Sequence, residues 1–212
     1  MAKTGQAGLE GIAAAVTGEK RRGPPPVGRW NPPFCGDIDM RIASDGTWFY
    51  QKTPIGRPAL VKLFASVLRR ENEKYFLVTP VEKVGIVVDD APFLAVEMRV
   101  REAEHPLLPN LFGGNILEFR TNVDDFVDVG PGHALRFDLD AATGGLKPYL
   151  HVRRDLWAKV TRALFYDLVE RGEERDVDGK QMFGVASAGE FFAMAEASAL
   201  TRTWPSTSGA AA

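Results

Sequence analysis

Between residues 34 and 50 apolar and polar positions alternate. Ile38, Met40 and Ile42 stand at every second position, Asp37, Asp39 and Arg41 fill the gaps, and Trp48 to Tyr50 follows the turn residues Ser44-Asp45-Gly46. Period two marks a strand with one buried face, so this stretch predicts strand, turn, strand. Beyond Pro54 the period changes. Leu60, Val61, Phe64, Val67 and Leu68 fall at i, i+1, i+4, i+7 and i+8, one face of a helix, and Pro58 suits its first turn. Strands are predicted over 75–79, 84–88 and 94–100 and near 116–122, with a Pro/Gly-rich loop over 105–114.

The plan then recurs. A strand over 133–139, the turn Ala142-Thr143-Gly144-Gly145, a strand over 147–152 and a helix over 155–170 follow in order, the helix carrying Leu156, Trp157, Val160, Ala163 and Leu164 at the earlier spacings. A shift of roughly 96 residues lays Arg57 on Arg153, Leu60 on Leu156 and Leu68 on Leu164; one residue less lays Met40-Arg41-Ile42 on Leu135-Arg136-Phe137. The expectation is an α+β chain of internally duplicated strand-strand-helix-strand units. A unit at 34–81 is too small for an independent core and is expected to pack on a larger one at 82–197, a roll of antiparallel strands with a capping helix, leaving a cleft between them. Residues 1–33, rich in Ala, Gly and Pro, read as a flexible arm with a short helix near 9–16 and extended backbone at Pro24, Pro25 and Pro26. Residues 198–212 read as a loose tail.

Composition narrows the function classes. The formal net charge is −2 over 212 residues, which argues against general nucleic-acid affinity. The single cysteine, Cys35, cannot form an internal disulfide, and the apolar run Ile12 to Val16 is too short for a signal core or a membrane span; a cytoplasmic location is expected.

Several motifs carry a family resemblance. Cys35-Gly36-Asp37-Ile38-Asp39-Met40-Arg41-Ile42, Asp45-Gly46-Thr47-Trp48, Thr53-Pro54-Ile55-Gly56-Arg57, Leu77-Val78-Thr79-Pro80-Val81-Glu82-Lys83, Phe119-Arg120-Thr121-Asn122 and Lys147-Pro148-Tyr149-Leu150-His151-Val152-Arg153 stand in order along the chain. Together they resemble an uncharacterised bacterial family, domain of unknown function 1285. The resemblance implies a duplicated α+β fold whose C-terminal part is superficially similar to pleckstrin-homology-like domains. It also implies a nucleotide-like ligand at the domain interface and a role in signal transduction. It supplies no catalytic residues.

The residues themselves single out Lys147 to Arg153. On a strand Lys147, Tyr149, His151 and Arg153 share one face and Pro148, Leu150 and Val152 the other. With a helix starting at once, its N-terminus favours an anion, so a phosphate or carboxylate held by Lys147 and Arg153 with Tyr149 stacked on a flat ring is the expected ligand mode. The competing reading is a solvated face whose cations pair with nearby acids such as Asp155. Asp37, Asp39 and Arg41 form a similar polar face, able to hold a divalent cation or to orient Arg41, though an edge-strand salt bridge is the better reading. Arg120 and Asn122 share a third strand face, and Glu82-Lys83 follows Pro80 at a strand end.

Cys35 with His133 or His151 is the one conceivable nucleophile–base pair, and a structural cysteine is the better reading. His105, His133 and His151 lack metal-ligand spacing, and neither Gly113-Gly114 nor Gly144-Gly145 joins a strand to a helix; no metal site, cofactor or catalytic residue is assigned. The leading expectation is a non-enzymatic ligand-binding regulatory protein taking a small anionic or nucleotide-like ligand in the cleft. A protein-interaction module comes second, and an enzyme using Asp37, Asp39 and His151 as acid–base groups last.

Overall fold

The alternation at the start of the chain is realised as β1 (Phe34–Ile42), with Met40 and Ile42 buried and Asp37, Asp39 and Arg41 exposed. These observations come from a computed structural model, which describes Gly11, Ala13 and residues 24–102 and 115–200. The helix expected near 9–16, the loop over 105–114 with His105, and the tail beyond 200 lie outside the described residues. The chain divides into two compact units: the first runs to Phe93 and takes in Asn122–Asp124 and Arg154–Leu156, and the second comprises the rest.

In the first unit β2 (Trp48–Tyr50), β3 (Thr53–Pro54), α1 (Pro58–Ser66), β4 (Leu68–Glu71), β5 (Lys74–Val78) and β6 (Lys83–Val88) follow β1. The sheet order is β3-β2-β1-β6-β5-β4, with β1 and β6 parallel and hairpins on both flanks. Trp48 stacks on Phe64 of α1 with ring centroids 6.4 Å apart, and Met40, Ile42, Leu68, Leu77 and Val84 complete this core. The face turned from α1 carries Asp37, Arg69 and Phe76. Ahead of β1, a 3-10 turn at Val27–Arg29 follows the three prolines; Val27 is fully buried, and Arg69 donates from Nη1 to the Trp30 carbonyl at 2.7 Å and the Val27 carbonyl at 3.3 Å.

The second sheet comprises β7 (Phe93–Glu102), β8 (Asn115–Thr121), β9 (Phe126–Asp128), β10 (Leu135–Leu139), β11 (Leu146–Arg153) and β12 (Leu156–Val160), in the order β10-β11-β12-β7-β8-β9. Read from its other edge, this is the order of the first sheet with each strand number raised by six. The duplication is therefore a repeat of a six-stranded mixed sheet with one helix each. Its phase differs from the expected overlay, which at one residue less than the 96-residue shift set Met40 on Leu135: Met40 belongs to the first strand of its sheet and Leu135 to the fourth.

The equivalent positions are visible in the strand registers. In the first sheet Leu68 faces Leu77, Arg69 faces Phe76 and Glu71 faces Lys74. In the second, Leu135 faces Leu150, Arg136 faces Tyr149 and Asp138 faces Lys147. The four leucines are buried in both, which fixes the parity and sends Arg69 and Arg136 to the opposite face.

The helix predicted over 155–170 is two elements. Arg154 turns the chain with φ 50°, β12 follows, and α2 (Arg162–Glu170) begins after Thr161. Leu156, Ala158 and Val160 are buried at period two, so the apolar run satisfies a strand pattern as readily as a helical one. α1 likewise ends at Ser66, and Leu68 opens β4.

A three-stranded antiparallel sheet, β13 (Glu173–Val177), β14 (Lys180–Ser187) and β15 (Glu190–Glu196), and a single turn of helix α3 (Ala197–Leu200) complete the described second unit. Its hairpins close on Asp178-Gly179 and Ala188-Gly189, all with positive φ as two-residue hairpin turns require. The buried Ser187 hydroxyl ties this sheet to its neighbours: it accepts from the Leu117 amide at 2.9 Å and donates to the Val129 carbonyl at 2.8 Å.

Candidate functional site on the outer face of the second sheet

Along β11 Pro148, Leu150 and Val152 are buried on one face; on the other Lys147, His151 and Arg153 are half-buried and Tyr149 between them is buried, 8% exposed. The α2 side is marked by Phe137, opposite Pro148 in the ladder and 6.5 Å from the Phe165 ring of α2. The outer face is the one turned away from α2.

There the Arg136 guanidinium lies 4.5 Å from the Trp157 ring centroid and 5.1 Å from that of Tyr149. Asp138 holds its Nε at 2.9 Å. His151 meets Trp157 edge-on at 5.1 Å, and the His133 ring stands 5.6 Å from His151. Both imidazoles are oriented by backbone: His133 Nδ1 lies 3.1 Å from the His151 carbonyl and His151 Nδ1 lies 3.0 Å from the Gly132 carbonyl. A carbonyl only accepts, so each Nδ1 carries the donated proton. A guanidinium beside aromatic faces is attracted by the ring quadrupoles and keeps N–H donors at its rim. The cluster thus presents positive charge and flat apolar surface side by side.

The flanking cations are engaged. Lys147 Nζ is 3.3 Å from Asp140, whose carboxyl is held below its usual range by the Ala142 amide first, then by the Thr143 hydroxyl and Lys147. Arg153 pairs with Asp125, whose own amide is held by the Thr121 hydroxyl. Six residue steps of strand carry the chain from Lys147 to Arg153, about 20 Å, too far to share one phosphate. The helix N-terminus expected after Arg153 is replaced by the β11–β12 turn.

The other sequence-derived candidates do not converge among themselves. Asp37 lies across Gly85, where a Cβ would meet its Oδ1 at 1.9 Å. Arg41 holds Asp89 through two nitrogens at 2.8 and 2.5 Å, which lowers the Asp89 pKa and raises that of Arg41. Asp39 is exposed on the same strand. Arg120 pairs with Glu97 at 2.7 Å, while Asn122 falls in the first unit. Among the described residues no three of His, Cys, Asp and Glu are placed to hold a metal ion. Cys35 is exposed, with Sγ 3.5 Å from the Pro33 carbonyl, and belongs to the first unit while His133 and His151 belong to the second.

Arg136, His133 and Trp157 were not assigned to the ligand face from sequence. Their signal was parity: with 135–139 and 156–160 read as strands beside β11, Arg136 and Trp157 fall on its polar face.

Comparison with known proteins agrees with this architecture. Residues 25–91 match the N-terminal domain of a domain of unknown function, DUF1285, and residues 92–194 match the C-terminal domain of the same family. The crystal structure of a DUF1285 family protein from Silicibacter pomeroyi DSS-3 is 49% identical, covers 91% of this chain and 97% of its own, and superposes with a TM-score of 0.78. The chain belongs to the DUF1285 family. A second DUF1285 structure, from Shewanella baltica OS155, is 31% identical over 63% of this chain and 91% of its own, with a TM-score of 0.47. No curated protein matches the chain. No helix among the described residues is long and apolar enough to cross a membrane.

Proposed function

We propose that this DUF1285 chain is a non-enzymatic ligand-binding protein with a regulatory role, as in signal transduction, and that the outer face of β10, β11 and β12 is its recognition surface. The ligand class is one that sets charged or polarised oxygen beside a flat or apolar group; a nucleotide-like anion is the small molecule of that description. The observation that carries the reading is Arg136 held over Tyr149 and Trp157. The guanidinium supplies the oxygen-binding fork, the half-buried Trp157 ring supplies a stacking surface above the buried Tyr149, and His151 and His133 extend the patch. A finer description of the second unit as a pleckstrin-homology-like roll belongs to the same reading, supported by the antiparallel β10–β11, β7–β8–β9 and β13–β14–β15 pairings and the one amphipathic helix α2 that follows β12 in the chain.

The test is a thermal-shift screen of nucleotides and anionic metabolites on the wild type and on Arg136→Ala. A ligand at about 100 times its Kd adds roughly 2.7 kcal/mol of stability. The reading expects a shift in the wild type that is lost in the variant. A shift of equal size in both proteins contradicts it.

A further inference from the structure

The repeat supplies evidence about the second sheet's ligand that neither unit supplies alone. Arg69 and Arg136 hold one position of the repeated frame: each follows a buried leucine, each faces an aromatic residue on the next strand, and each pairs with the acid two residues on, Glu71 or Asp138. The aromatic partner carries a cation on its ring in both, Lys83 over Phe76 at 5.0 Å and Arg136 over Tyr149 at 5.1 Å.

What differs is the covering. In the first unit the position is filled by the chain's own backbone: after Pro24, Pro25 and Pro26 the 3-10 turn brings the carbonyls of Val27 and Trp30 to Arg69, whose side chain is left 13% exposed. In the second unit the Arg136 side chain is 48% exposed.

We propose that the outer face of β10–β12 docks an extended, proline-rich peptide segment of a protein partner, with Arg136 taking its carbonyls as Arg69 takes those of Val27 and Trp30 just after Pro24, Pro25 and Pro26. This rests on the reading of that face as a recognition surface and adds the ligand's class. The chemistry suits such a peptide. Consecutive prolines hold an extended backbone with its carbonyls turned outward and lose little conformational entropy on docking. Proline rings pack on aromatic faces, as the half-buried Trp157 provides. Arg136 then takes peptide carbonyls, as Arg69 does.

The probe is a fluorescently labelled peptide of the chain's own segment, Pro-Pro-Pro-Val-Gly-Arg-Trp, titrated by anisotropy against the whole protein, with an all-alanine replacement of the prolines as control. Saturable binding that weakens at least tenfold in Arg136→Ala and in the control peptide is the expected result. The variant's melting curve is recorded alongside, and Arg136→Lys, which keeps the charge but loses the fork, should weaken binding in a protein of wild-type stability. Absence of saturable binding, or equal affinity for Arg136→Ala, overturns the proposal. Nucleotides are titrated in parallel: an Arg136-dependent nucleotide with no peptide binding overturns the peptide class and leaves the face as a site. Silence from both probes overturns both.

Discussion

Arg69 and Arg136 occupy the same place in two copies of one sheet, yet one is closed over by backbone carbonyls and the other is half open to solvent. That difference separates a structural use of the position from a recognition use, because a buried guanidinium must keep its partners whereas an open one can exchange them. The two arginines should therefore respond oppositely to removal.

Arg69→Ala removes the guanidinium donor from the Val27 and Trp30 carbonyls and one of the two cations from Glu71. The expected loss is about 2 kcal/mol, within the range for hydrogen bonds to charged groups. Arg136→Ala removes a half-exposed side chain and should cost less than about 1 kcal/mol. Urea unfolding of the two variants side by side measures the contrast; equal losses would contradict it.

Two glycines make a second contrast. A Cβ at Gly184 would meet the Phe192 carbonyl oxygen at 2.2 Å and the Ala193 Cα at 2.9 Å, both fixed backbone of β15. Gly184→Ala should therefore loosen the three-stranded sheet and cost roughly 1–3 kcal/mol. A Cβ at Gly85 meets first the carboxylate of Asp37, an exposed side chain that can swing away. Gly85→Ala should be milder, with Asp37→Ala/Gly85→Ala milder still. Denaturant midpoints of the three variants test the order.

How much of this was legible in the sequence depended on how strongly each segment signalled its period. Ile38, Met40 and Ile42 and the strand faces of β11 could be read directly, because polar and apolar residues alternate there, with only the buried Tyr149 breaking the burial pattern of β11. The segment after Arg153 could not. Leu156, Trp157 and Val160 fit a helical stripe, and the turn that separates β11 from β12 uses Arg154 at φ 50° where a glycine would have announced it. Misreading β12 removed Trp157 from the face of Tyr149 and His151 and shifted the repeat out of phase. β13 has all five residues exposed and so carries no apolar alternation to read. Asp178-Gly179, by contrast, is a strong hairpin signal that marks β13 and β14. Pairing alone brought Arg136 to Tyr149, and pairing partners are not written in either strand by itself.

The Ser187 hydroxyl should prove structural. Ser187→Ala leaves the buried Leu117 amide and Val129 carbonyl without their bridge, at a cost of about 1–3 kcal/mol. Hydrogen exchange should show faster exchange at Leu117 in the variant, while residues of the first sheet keep their rates.

Acid should weaken the first unit through Glu71. Its carboxyl is held below the ordinary glutamate value of 4.5, by the hydrogen bond from Lys83 first and by Arg69 as well. A carboxyl depressed in the folded state stabilises that state above its unfolded pKa, and the contribution is lost as the pH falls through the lower folded value. Wild-type stability should accordingly drop on acidification below about pH 4.5, and Glu71→Gln should flatten that limb while starting lower at neutral pH. Urea midpoints between pH 3 and 7 give both curves; parallel curves would contradict the assignment.

The central claim is that the outer face of β10–β12 recognises a ligand through Arg136. Titration calorimetry of the strongest thermal-shift ligand against the wild type and Arg136→Ala tests it most directly. The account predicts at least tenfold weaker binding in a variant that stays folded, with no more than the small loss of stability expected above. Equal affinities in two equally stable proteins would place recognition elsewhere and contradict it.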